Sequence, residues 1–132
     1  MVTSGPPARE PAIRVVAMPG DANPHGDIFG GWLLCQMDLA AGNVAAERSA
    51  GRAVTIAIDE MSFLEPVHVG DEVSVYARIV QTGRSSMRVA VEAWRRARDE
   101  KGRAKVTEGA FTFVAIGPDR RPRLLPHLNQ DG

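Results

Sequence analysis

The chain has 132 residues, of which 16 are basic and 16 acidic, so its formal net charge at neutral pH is zero. That balance gives no global field to hold nucleic acid or an anionic membrane, and the length predicts one compact domain. The composition, 44% hydrophobic and 24% charged, is typical of a globular protein, and no apolar run approaches the roughly 20 residues of a membrane span.

Residues 1–12 combine Pro, Gly and mixed charge without an apolar segment, which predicts a flexible N-terminal arm and not a signal peptide. We therefore expect a cytoplasmic protein. The single cysteine, Cys35, provides neither an internal disulfide nor a Cys-based zinc cluster. A first strand is predicted from Ile13 to Met18, because the apolar run ends at Pro19 and Gly20.

A loop of turn-forming residues, GDANPHGD, precedes the one long helix, which we predict from Trp32 to Arg48. This segment contains no proline and is rich in Leu, Ala, Met and Gln. Its apolar stripe is predicted at Leu33, Leu34, Met37, Ala41, Val44 and Ala45.

From Ala53 onward the hydrophobic period changes to two, which predicts four further strands joined mostly by short turns. In the first of them, Thr55 and Asp59 are predicted on one face and the apolar residues on the other. The last runs from Val106 to Ile116. This order predicts an α+β fold in which a curved antiparallel sheet wraps around one central helix, the hotdog arrangement. An exposed sheet edge would invite a second copy to pair with it.

Asp38 lies at the margin of the apolar stripe, with the small residues Gly31, Gly42 and Ala45 leaving space beside it. A carboxylate in such a setting acts as a base or nucleophile in many enzymes. The alternative is a structural hydrogen bond at the edge of the stripe, and periodicity does not separate the two.

Gly30 and Gly31 precede the helix, where free backbone N–H groups and the positive end of the helix dipole favour a negative oxygen. They are candidates for an oxyanion hole, or glycines that merely allow a tight loop. Asn23 and His25 offer donors and acceptors that orient a water or carbonyl, or else they form turns. Thr55 faces a ligand or solvent.

The turn Gly83-Arg84-Ser85-Ser86 combines a guanidinium with two hydroxyls, which suits a phosphate as well as an ordinary polar hairpin. Six other arginines, among them Arg123, are interpreted as surface charges. His68 and His127 fall in a predicted turn and tail, and the sequence offers no metal-ligand spacing, so we predict no metal.

Three stretches together resemble the bacterial YciA-like acyl-CoA thioesterases of the hotdog superfamily: AMPGDANPHGDIFGGWLLCQMDLAAG, AVTIAIDEMSFLEPVHVGDEVSVYARIVQTGRSSMRVAVEAW and TEGAFTFVAI. Within them, NPHGDIFGGW followed by QMD is the most specific element. The resemblance spans residues 13–126, which we take as the domain, with residues 127–132 as a tail.

The resemblance implies a role for each candidate residue. Asp38 would act as general base or nucleophile, and Asn23 would position the reacting group beside the partner subunit's carboxylate. The amides near Gly30 and Gly31 would polarise the carbonyl, with Thr55 close by. Three residues would hold the nucleotide end of CoA: Arg84, Ser85 and Ser86.

The resemblance also implies an assembly, namely a homodimer that forms a trimer of dimers, with each site built from two chains. No cofactor is expected beyond the coenzyme A of the acyl-CoA substrate. Two other functions stay open: a hotdog dehydratase or hydratase that pairs His25 with Asp38, and a non-catalytic acyl-CoA binding protein.

Overall fold

The fold consists of a five-stranded antiparallel sheet and one long helix, as described for residues 5–128 by a computed structural model. A short 3-10 turn at Pro19–Asp21 connects the first strand to the loop before the helix. In chain order the elements are β1 (Ile13–Val16), α1 (Gly30–Ser49), β2 (Ala53–Phe63), β3 (Glu72–Thr82), β4 (Ser86–Arg96) and β5 (Arg103–Ala115).

The strands are hydrogen-bonded in the order β1-β3-β4-β5-β2, and every neighbouring pair is antiparallel. The long strands β3, β4 and β5 form the middle of the sheet, and β2 is an edge strand of 11 residues. The predicted α+β hotdog architecture, with its single long helix against a curved antiparallel sheet, is confirmed.

Helix α1 begins two residues before the predicted start and ends one residue after the predicted end. Its buried face consists of Leu33, Met37, Ala40, Ala41, Ala45 and Ser49. Leu34, predicted in the centre of the stripe, is only half-buried, so the packed face is rotated slightly from the predicted one. The three alanines bring the helix backbone close to the sheet, because their side chains end at Cβ.

The core lies between this helix face and the helix-facing side of the sheet. Phe111, Met37 and Met87 are its largest fully buried side chains. The ring of Phe113 lies beside α1 at Gly42, where an added Cβ would meet it at the van der Waals distance of 3.7 Å. Apolar burial of this kind is the main favourable term in folding, and truncation of one such Phe to Ala typically costs about 3–5 kcal/mol.

Strand β2 departs from a regular register with β5 at two places. The first of them changes which face of the sheet the residues after Thr55 occupy. Thr55 pairs with Phe113, but Ala57 pairs with Thr112, so that Ile56 is an extra residue in a β-bulge. The bulge reverses the alternation of side chains that follows it. Thr55 therefore faces the helix, whereas Asp59 lies on the outer face of the sheet. The prediction that both share one face is wrong.

On that outer face, the Arg88 guanidinium donates to Asp59 at 2.8 Å and to Glu60 at 2.8 Å. These two hydrogen bonds raise the pKa of Arg88 above its usual value, and the bond to Asp59 has the larger effect. Glu60 has a φ of 53°, in the left-handed region, which is unusual for a residue with a side chain. The Arg88 contacts thus help to hold an unfavourable backbone conformation in the second irregular stretch of β2.

The segments outside the strands contact the domain. Ala12 donates its N–H to Val75 O at 2.8 Å, and the Arg9 guanidinium lies 5.8 Å from the centre of the Tyr76 ring. Residues 1–4 of the predicted arm and 129–132 of the predicted tail lie outside the described residues, and the boundaries at 13 and 126 stay predictions. Among the described residues, no helix is both long enough and apolar enough to cross a bilayer.

Candidate active site

Asp38 and Thr55 form a direct pair between α1 and β2. Thr55 Oγ1 donates a hydrogen bond to Asp38 Oδ1 at 2.6 Å, and both side chains are half-buried. This length is typical of a hydroxyl that donates to an ionised carboxylate. Within residues 5–128 the carboxylate has no other hydrogen-bond partner, so Oδ2 is available to a ligand. The sequence left open whether Thr55 faces a ligand or solvent. In the structure its hydroxyl instead binds the Asp38 carboxylate.

The loop before the helix is organised by Asn23. Its Oδ1 accepts hydrogen bonds from the backbone N–H groups of His25 at 2.9 Å and Asp27 at 3.1 Å. Gly26 completes the turn with a φ of 93°, which a residue with a Cβ rarely adopts. Because the oxygen of Asn23 is used to fold the loop, only its NH2 group stays available as a donor.

The start of α1 presents free amides, as predicted. Phe29 precedes the helix without a side-chain cap, and its carbonyl accepts from Trp32 N and Leu33 N. The N–H groups of Gly30 and Gly31 belong to the first helical turn and therefore have no partner within the helix. Both glycines are exposed. Two adjacent donors at the positive end of the helix dipole can stabilise a developing oxyanion.

A cleft of about 430 Å³ is lined by Gly30, at the start of the helix, and by Asn23, whereas Gly31 does not line it. Its apolar walls are Ile28, Leu33, Phe63, Leu64 and Val67, and its polar residues are Asn23, Asp27 and Glu65. The structure thus places Asn23 and Gly30 at the same cleft.

Asp38 does not line that cleft. It follows Gly30 by eight residues, which places it about 12 Å further along the helix axis. The predicted residues therefore fall into two groups within one chain: Asn23 with the helix-start amides, and Asp38 with Thr55. Within one subunit Asp38 is therefore apart from the helix-start amides, whereas the resemblance implied a site built from two chains.

Arg84 lies in a second cleft, of about 480 Å³, at the opposite end of α1. Arg48 and His127 share it, and the Arg48 guanidinium is held there by a 2.8 Å hydrogen bond to Pro126 O. Among residues 5–128, no carboxylate lines this cleft. Ser85 and Ser86 do not line it either; Ser85 O accepts from Ala115 N in the sheet. Sequence reasoning missed Arg48 and His127, because they are far apart in the chain and no local pattern joins them.

His68 lies between two carboxylates outside both clefts. Its Nε2 is 3.6 Å from Asp27 Oδ1 and its Nδ1 is 3.9 Å from Asp71 Oδ2. Backbone pairing between Asp27 and His68 fixes the loop to the turn before β3. Over residues 5–128, no group of three or more His, Cys, Asp or Glu side chains is arranged to hold a metal ion.

Residues 25–101 match the family model described as the thioesterase superfamily. An uncharacterized acyl-CoA thioester hydrolase of Zymomonas mobilis is 54% identical over 124 residues, which cover 94% of this chain and 83% of the relative. The acyl-CoA thioester hydrolase YciA of Escherichia coli is 45% identical over 127 residues, covering 94% and 96%. The crystal structure of a hexameric thioesterase from Yersinia pestis is 45% identical, with a TM-score of 0.87 over 92% of this chain and 98% of that one.

Proposed function

We propose that this chain, which belongs to the YciA-like acyl-CoA thioesterases of the thioesterase superfamily and has their hotdog fold, hydrolyses acyl-CoA to free CoA and a carboxylic acid. The observation that carries the proposal is the half-buried carboxylate of Asp38, oriented by Thr55 with one oxygen left available. Such a carboxylate suits the transfer of an acyl group to water.

The proposed reaction begins with the thioester carbonyl oxygen against the amides of Gly30 and Gly31. Asp38 takes a proton from a water molecule whose oxygen attacks the carbonyl carbon, or it attacks that carbon itself to give an anhydride that water opens. The carbon–sulfur bond then breaks, and CoA leaves as a thiolate that takes up a proton from solvent. The NH2 group of Asn23 is a donor to the water or the carbonyl.

The two groups of residues have to come from two subunits, because about 12 Å of helix separates them within one chain. Strand β2 supplies a surface for that association: it is an edge of the sheet, and its Ile56 side chain is 59% exposed. An apolar edge strand of 11 residues is a template for pairing with a second copy. We propose a homodimer in which Asn23 acts with the partner subunit's Asp38, and a trimer of dimers as the complete assembly.

The cleft around Arg84 is the proposed site for the nucleotide end of CoA. Arg48 and Arg84 supply guanidinium groups, which bind phosphate well. This adds Arg48 and His127 to the predicted set of Arg84, Ser85 and Ser86; the two serines do not line the cleft, and their carbonyls instead accept from Ala115 N and Gly83 N. The reaction needs no cofactor besides the CoA of the substrate, so turnover is expected to survive a chelator.

The predicted location is the cytoplasm, which cell fractionation tests.

Thiol release from a panel of acyl-CoAs tests the proposal. Asp38→Asn removes the base or nucleophile while keeping the size of the side chain, and we expect kcat to fall by about 100-fold or more. Glu47→Gln is the matched control, because it neutralises an exposed carboxylate on the same helix. Near-normal turnover by the Asp38 variant contradicts the assignment.

The same assay separates the other two functions. A dehydratase or hydratase would hydrate the alkene of an enoyl-CoA without releasing thiol. A non-catalytic binding protein would bind acyl-CoA and release none.

A further inference from the structure

The side chain of Phe63 lies over the start of α1. It is the last residue of β2 and pairs with Thr107 on the helix-facing side of the sheet. Two of its ring atoms lie 3.6 and 3.8 Å from the point that a Cβ on Gly30 would occupy. The ring therefore lies beside the helix at the residue whose amide is a candidate for holding the thioester carbonyl. Even so, Phe63 is 56% exposed, so much of the ring faces the cleft and not the core.

The remaining walls of this cleft are apolar and mostly fixed. Ile28, Leu33 and Val67 are buried, and Val67 O accepts the N–H of Ile28 at 2.9 Å. Phe63 and Leu64 differ from them, because both are about half exposed, and of the two it is the ring of Phe63 that lies beside Gly30. A ring in that position is suited to set the size of the group that enters the cleft.

The charges at the cleft decide which part of the substrate enters. Asp27 and Glu65 are its ionisable residues, and both carry carboxylates. Arg95 offsets Glu65, since its guanidinium lies 3.6 Å from Glu65 Oε1 and donates to Pro66 O at 2.7 Å. His68 Nε2 lies 3.6 Å from Asp27 Oδ1. Among the described residues, the lining of the cleft contains no basic side chain to hold a phosphate, whereas its apolar walls accept an uncharged hydrocarbon. The cleft therefore suits the acyl chain better than the nucleotide end of an acyl-CoA.

We infer that Phe63 determines acyl specificity: its ring bounds the pocket for the acyl chain beside Gly30. The inference rests on the proposed thioesterase function and adds to it the residue that selects among acyl groups. Removal of the ring deepens the pocket by the volume of a phenyl group. Long or bulky acyl chains then gain transition-state binding relative to short ones.

The experiment measures kcat/KM for a saturated series from acetyl-CoA to palmitoyl-CoA, together with benzoyl-CoA, for wild type and three variants. Because one methylene in an apolar pocket changes kcat/KM by about tenfold or more, we expect Phe63→Ala to raise the long-to-short ratio at least tenfold. Phe63→Leu is expected to lie between it and wild type, and Phe63→Trp to lower the ratio. Val80→Ala, at a residue 44% exposed and remote from the cleft, is the control and should leave the ratio unchanged.

Light scattering checks each variant, because Phe63 lies on the edge strand. If Phe63→Ala alters the assembly, the long-to-short ratio of Phe63→Leu and Phe63→Trp is compared with that of wild type instead. A ratio within twofold of wild type in every correctly assembled variant overturns the inference, even if all rates fall together. If the wild type releases no thiol from any acyl-CoA, the proposed function fails. Affinities for thioether analogues of the same series then test the pocket, and an unchanged order of affinity across the variants overturns it.

Discussion

Removal of the Thr55 hydroxyl tests how the proposed catalytic carboxylate is held. Thr55→Val keeps the branched shape of the side chain and deletes the 2.6 Å hydrogen bond to Asp38 Oδ1. A hydrogen bond to a charged group contributes about 1.5–3 kcal/mol when buried, and since both partners are half-buried we expect a loss of only about 1 kcal/mol in unfolding free energy. The catalytic effect is expected to be larger, because a carboxylate free to rotate is misaligned with the thioester: kcat should fall about 10- to 100-fold.

Thiol release at saturating acyl-CoA measures the kinetic effect, and urea unfolding measures the change in stability. Thr55→Ser retains the hydroxyl and should retain most of the activity. The double variant Thr55→Val with Asp38→Asn shows whether the loss of activity at Thr55 is caused by its contact with Asp38. If Thr55 acts through Asp38, its loss changes little once the carboxylate is gone. A wild-type kcat for Thr55→Val, or an equal loss in both backgrounds, would refute the reasoning.

Three further predictions concern other contacts. The Arg123 guanidinium donates to the carbonyls of Ile116 at 2.9 Å and Ser49 at 2.8 Å, so Arg123→Ala should lower the unfolding free energy by about 2–4 kcal/mol in urea, whereas the exposed Arg121→Ala should not. Thr107 Oγ1 is buried without a hydrogen-bond partner among residues 5–128, so Thr107→Val should raise the stability by about 1 kcal/mol, and a lower Tm would contradict this. Arg84→Ala should raise KM about tenfold for acyl-CoA but not for acyl-pantetheine, which lacks the nucleotide; equal effects on both would place the phosphates elsewhere.

Local periodicity accounts for what the sequence predicted well. Apolar residues at helical spacing indicated α1 to within two residues at either end, and alternation indicated the strands. Both signals arise from a single element packed on one face, so no distant residue is needed to interpret them. The GG pair at the helix start belongs to the same class, because free amides there follow from helix geometry alone.

Contacts between distant segments explain what the sequence did not predict. Arg123 was interpreted as a surface charge, yet it is half-buried and bonds the carbonyl end of α1, because the chain after β5 returns across that end. Arg48 enters the Arg84 cleft through its bond to Pro126 O. Neither contact can be recognised from a periodic pattern. Each depends on the path of the proline-rich segment after β5, which has no regular secondary structure.

The two irregular stretches of β2 together decide which residues reach the site. Eight positions separate Thr55 from Phe63, whereas their partners Phe113 and Thr107 are six apart on β5, so β2 carries two extra residues. One extra residue reverses the face of every later side chain, and a second restores it. With a single bulge Thr55 would still meet Asp38, but Phe63 would point to the outer face and the acyl cleft would lose its wall. The left-handed conformation of Glu60 costs free energy, but it belongs to the irregularity that returns Phe63 to the helix. One edge strand can therefore orient the carboxylate near its start and bound the cleft at its end.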